Sequence, residues 1–72
     1  MTPDFDTMDL AAMLEWMDRQ GYTLDCGNYK RNLPDQRWRI WVAISGWNCE
    51  CYGNSLTEAA RAAAKKVMDS RR

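Results

Sequence analysis

The sequence predicts an α+β domain of order α-β-β-β-α, a three-stranded antiparallel sheet with two helices packed on one face. Three observations predict it. Apolar residues recur at helical spacing near the start, alternation of period two runs through the middle, and an alanine-rich amphipathic stretch closes the chain behind a capping box.

In the first element, Thr7 or Asp6 caps a helix whose first turn carries Asp9. Leu10, Met13, Leu14 and Met17 stand at i, i+3, i+4 and i+7 and form one buried stripe, while Ala12, Glu15 and Arg19 face away. Gly21 supplies the left-handed residue that ends such a helix, which sets its span at Met8 to Gln20. Tyr22, Leu24 and Cys26 then alternate with Thr23 and Asp25, a first strand that stops at Gly27-Asn28. Asn32-Leu33-Pro34-Asp35 has turn chemistry, since proline presets φ and Asn or Asp bonds its own backbone.

The second strand runs from Arg37 to Ile44 and is the clearest in the chain. Trp38, Ile40, Val42 and Ile44 share one face, and Arg37, Arg39, Trp41 and Ala43 share the other. Ser45-Gly46-Trp47-Asn48 is read as a hairpin turn, Cys49 to Tyr52 as a short third strand, and Gly53-Asn54 as its end. Ser55-Leu56-Thr57-Glu58 is a capping box opening a long second helix. Its apolar side is Leu56, Ala59, Ala60, Ala63 and Val67, with Arg61, Lys65 and Lys66 solvated and Arg71-Arg72 at the negative end of the helix dipole.

Seventy-two residues make one domain, 1–72, near the lower size limit, with residues 1–6 expected as a flexible N-terminal tail. A hydrophobic fraction of 46% with four Trp gives the chain enough apolar material to fold without a metal or disulfides. Its longest apolar runs, such as Ile40-Trp41-Val42-Ala43-Ile44, are too short for a transmembrane helix, and the start is acidic, so no membrane partner and a cytoplasmic location are expected. Three cysteines are an odd count, which fits reduced thiols better than a secreted disulfide framework. The formal net charge of zero conceals two halves of opposite sign. Up to Cys26, Asp4, Asp6, Asp9, Glu15, Asp18 and Asp25 stand against Arg19, and from Gly27 onward the bases outnumber Asp35, Glu50, Glu58 and Asp69. Such halves either offer two contact surfaces or attract each other within the fold.

A catalytic set is not legible. The chain has no histidine, which removes Ser-His and Cys-His dyads and the commonest metal ligand, so no enzyme activity, cofactor or metal is expected. Cys49 and Cys51 lie on one strand face and would need Cys26 as a third thiolate, a weak metal pattern beside the ordinary reading of buried cysteine. Gly53-Asn54-Ser55 reads as helix initiation rather than an anion cradle. The informative surface is the outward face of the second strand, Arg37, Arg39 and Trp41, joined by Glu50 and Tyr52, with Trp47 at the hairpin tip. Trp and Arg anchor protein interfaces because each combines a large contact area with a polar handle. The residues therefore point to binding of another protein or protein complex through Arg37, Arg39, Trp41, Trp47 and Tyr52. Self-association is a further expectation that the sequence neither favours nor disfavours.

The element order and the stretch from Leu33 to Met68 resemble the double-stranded-RNA-binding domain, whose closing part carries G-x-G-x-S-K-K-x-A-K-x-x-A-A. Gly53-Asn54-Ser55-Leu56-Thr57-Glu58-Ala59-Ala60 keeps the Gly, Ser and Ala frame, Ala62-Ala63-Ala64-Lys65 follows, and Leu33-Pro34-Asp35-Gln36 sits where that family has a Gly-Pro-x-His loop. The family's phosphate-contacting lysines correspond to Leu56, Thr57 and Ala60, and its loop histidine to Gln36. The resemblance implies the fold and, as an alternative function, nucleic-acid binding carried by Arg61, Lys65 and Lys66. The Leu14-Glu15-Trp16-Met17 helix paired with the Ser55-x-x-Glu58-Ala59-x-x-x-Ala63 helix also looks like short phage and prophage accessory proteins. That likeness implies an inhibitor or modulator docked on a larger complex, as anti-CRISPR proteins are.

Overall fold

The computed structural model describes residues 3–28 and 36–71. Its elements are α1 (Leu10–Arg19), β1 (Thr23–Asn28), β2 (Trp38–Ile44), β3 (Trp47–Gly53) and α2 (Leu56–Ser70), an α+β fold in the order the sequence predicts. The strands form one antiparallel sheet ordered β1-β2-β3, so β2 is central. The turn expected at Asn32-Leu33-Pro34-Asp35 lies outside the described residues.

The first helix starts later than Thr7 or Asp6 would set it. Thr7 donates from both its amide and its hydroxyl to the Asp4 carbonyl, at 3.2 and 3.1 Å, and the Asp6 amide donates to Asp4 Oδ1 at 3.1 Å. These bonds close a turn ahead of the helix. Asp9 is the cap, its Oδ1 accepting the Ala12 amide at 2.8 Å. At the other end Gly21 has φ +93°, and the amides of Gly21 and Tyr22 donate to the carbonyls of Asp18 and Met17. Two carbonyls left over by the last turn are thereby satisfied, and Tyr22 folds back onto Met17's side of the helix.

Strand β1 continues through Gly27-Asn28, where the sequence suggested a break, because both residues pair with β2 at Arg39 and Trp38. Trp47 likewise belongs to β3. It sits opposite Ile44, leaving a loop of only Ser45 and Gly46. Gly53, the last residue of β3, faces α2 at very close range: a Cβ there would lie 2.7 Å from the Ala59 amide nitrogen and 2.9 Å from Glu58 Cβ. Only glycine lets the strand end and the first turn of the helix meet in this way. The capping box forms with Ser55 Oγ accepting the Glu58 amide at 3.2 Å, while the Glu58 carboxylate reaches back to the Asn54 amide at 2.9 Å.

The core lies between the helices and one face of the sheet. Ile40, Val42 and Cys51 come from the sheet, Met13 and Met17 from α1, and Ala59, Ala60, Ala63, Ala64 and Val67 from α2. Four small side chains on one side of α2 bring its backbone close to the strands. Phe5 joins them at 5% exposure, stacked edge-on to Trp16 with ring centroids 5.0 Å apart. The segment read from sequence as a tail is thus docked at Phe5. Arg61 Nε donates to the Phe5 carbonyl at 2.8 Å and Lys65 Nζ pairs with Asp6 at 2.8 Å. No helix among the described residues is long and apolar enough to cross a membrane.

Candidate binding face of the sheet

Both helices pack on the side of Ile40 and Val42, so alternation along each strand sends the intervening residues to the other side. The pairing register arranges these in three rows. Thr23, Ala43 and Asn48 make the first, Asp25, Trp41 and Glu50 the second, and Gly27, Arg39 and Tyr52 the third. Trp41 therefore occupies the centre of the helix-free face, with a carboxylate residue directly opposite it on each neighbouring strand.

Glu50 ties part of this face together. Its Oε1 accepts from Arg39 Nη2 at 3.4 Å and its Oε2 accepts from the Tyr52 hydroxyl at 3.0 Å. The Arg39 side chain is 22% exposed and that of Glu50 47%, so the pair is partly screened by water and serves more to fix positions than to stabilise the fold. Tyr52 is 42% exposed. The result is a guanidinium, a carboxylate and a phenol linked by hydrogen bonds on the same sheet face as an indole, a set that meets a partner with both apolar area and directed hydrogen bonds.

The four tryptophans divide on burial partners. Among the described residues, Trp16, Trp38 and Trp47 pack against the core cluster, and Trp41, half-buried, stands outside it. Trp47, expected at the hairpin tip as a contact residue, stands on the helix-covered side and meets Tyr22 edge-on at 5.7 Å. Its place in the ladder gives it the same parity as Cys49 and Cys51, which turns it inward. Arg37 is exposed at the bend before β2, outside the strand. Arg39, Trp41 and Tyr52 are brought together.

The basic residues of α2 do not form one free surface. Arg61, expected to be solvated, is half-buried and donates from Nε to the Phe5 carbonyl and from Nη2 to that of Met8 at 3.5 Å. Lys65 pairs with Asp6, whose carboxyl it holds below the ordinary value of 3.8 through the hydrogen bond first and its charge second. Lys66 is exposed.

Cys26, Cys49 and Cys51 share the helix-facing side, yet Cys26 and Cys51 both oppose Ile40, from opposite flanks. Two strand spacings, about 9.5 Å of backbone separation, divide them, too far for one ion with thiolate bonds near 2.3 Å. Among the described residues no three His, Cys, Asp or Glu side chains are grouped to hold a metal. Burial raises the Cys51 thiol, and burial followed by the Cys51 charge pushes Cys49 up to about 11, so both are protonated near neutrality.

Sequence parity alone marks Asp25 as a neighbour of Thr23 on the outward side, but its position across from Trp41 depends on the β1–β2 register. Comparison with protein-family models, curated proteins and solved structures finds no match to this chain.

Proposed function

We propose that this chain is a non-catalytic binding module that engages another protein through the helix-free face of its sheet. In this reading it is a small cytoplasmic protein of phage or mobile-element type that inhibits or modulates a larger complex. The observation that carries the proposal is Trp41. Among the described residues it is the tryptophan outside the core cluster, half-buried at the centre of the helix-free sheet face and framed by Arg39, Glu50 and Tyr52. Covering an indole of this size offers a partner more contact area than any other side chain, which is why Trp dominates interface energetics. The alternative of nucleic-acid binding through α2 has less to rest on, since Arg61 and Lys65 are engaged with the N-terminal segment.

The test is capture from a bacterial host lysate with the wild-type chain and with the Trp41→Ala/Arg39→Ala pair, each with and without nuclease. The expected result is a protein retained by wild type after nuclease and reduced by about tenfold or more with the pair, as loss of an interface anchor implies. Equal retention by both baits would overturn the face, and recovery only of nuclease-sensitive material would favour the nucleic-acid reading.

A further inference from the structure

Resting on the protein-binding reading of the sheet face, we infer that the Asp25, Trp41 and Glu50 row receives a basic side chain, arginine or lysine, presented by the partner protein. The three residues are directly opposite one another in the register of three adjacent strands. Neighbouring strands lie about 4.8 Å apart, so a carboxylate flanks the indole on each side. An indole attracts a cation more strongly than any other aromatic side chain does, and a nearby carboxylate adds a counter-charge.

The charges on the face decide the sign of the ligand. Glu50 is offset by Arg39 and oriented by Tyr52. Asp25 is exposed and forms no ion pair among the described residues. The uncompensated charge in the row is therefore negative. Arg37 stands outside β2, four residues along the chain from Trp41. Among the described residues of this face, an acidic peptide or a phosphate backbone arriving at Trp41 would meet two carboxylates and an arginine already paired with Glu50. A guanidinium or ammonium group instead gains the indole and Asp25 together.

The test is titration of the isotope-labelled full chain, followed by amide and indole N–H resonances, with three probes: an end-blocked Gly-Arg-Gly peptide, the same peptide with citrulline for arginine, and an oligothymidine. The expected result is saturable shifts centred on Trp41, Asp25 and Glu50 with the arginine peptide. Binding should be about fivefold weaker with the neutral citrulline peptide, and Asp25→Asn should weaken the arginine peptide about threefold while leaving the folded spectrum intact. Equal response to citrulline, no response in this row, indifference to Asp25→Asn, or a response of the row to oligothymidine would each overturn the inference. An unresponsive row together with partner capture that Trp41→Ala abolishes would reject the basic ligand and leave the binding face standing. Capture indifferent to Trp41→Ala would reject the face itself.

Discussion

Cys26, Cys49 and Cys51 share one side of the sheet and meet three environments. Cys26 is exposed on the edge strand β1, Cys49 is half-buried, and Cys51 is closed into the core at 4% exposure. All three thiols are raised, Cys26 by burial first and the Asp25 charge second, so accessibility rather than acidity separates them. Alkylation of the native chain, read by peptide mass, is expected to proceed at Cys26 first, Cys49 next and Cys51 last. Reaction of Cys51 as fast as Cys26 would mean that β3 opens readily from α2. At this scale, residue type was a good guide to burial for Ile40 and Val42 and a poor one for arginine. Arg61 reads as a solvated helix residue, but its guanidinium takes two carbonyls of a segment 53 and 56 positions away, a contact that no local pattern encodes.

Element boundaries were legible wherever a local signal set them and drifted where a neighbour did. Ser55 and Glu58 announce α2, and Gly21 announces the end of α1, because capping depends on residues within one turn. Trp47 was misplaced for the opposite reason. Ser45-Gly46-Trp47-Asn48 reads as four turn residues, and only pairing with Ile44 draws Trp47 into β3 and onto the inward side. Gly53 reads as a strand breaker, whereas its role is to let β3 and α2 touch. Gly53→Ala is expected to destabilise the fold by about 1–3 kcal/mol, the cost of overpacking a site where backbone rather than a flexible side chain stands in the way. Chemical denaturation checks this, and an unchanged midpoint would show that the helix start can shift at little cost.

For the whole molecule, the opposite charges of the two halves meet within the fold at Lys65 and Asp6, beside the Arg61 contact to Phe5. Lys65 and Asp6 are both largely exposed, so the apolar contact of Phe5 with Trp16 and the core carries most of the docking. Phe5→Ala is expected to cost about 3–5 kcal/mol, comparable with the entire stability of a domain this small, and to leave the chain largely unfolded by circular dichroism at room temperature. A stable folded spectrum would mean that the segment before α1 is dispensable. The docking of Phe5 is not legible in the sequence, because one aromatic among Asp4, Asp6 and Thr7 carries no periodicity. The candidate face was more legible, since alternation in β2 already set Arg39 and Trp41 apart from Ile40 and Val42. What alternation could not give is which residues of β1 and β3 lie across from Trp41, and that register makes Asp25 and Glu50 part of the same row.

Binding through that face stands or falls with its indole. Among the described residues Trp41 lies outside the core cluster and on the face away from the helices, so Trp41→Ala is expected to leave the packing of the helices intact and to separate binding from folding. The measurement is the amount of partner protein retained from nuclease-treated lysate by Trp41→Ala relative to wild type, with circular dichroism of both baits alongside. A fall of about tenfold at unchanged fold is the predicted result. Retention equal to wild type by a normally folded variant would contradict the claim that this chain binds through the helix-free face of its sheet.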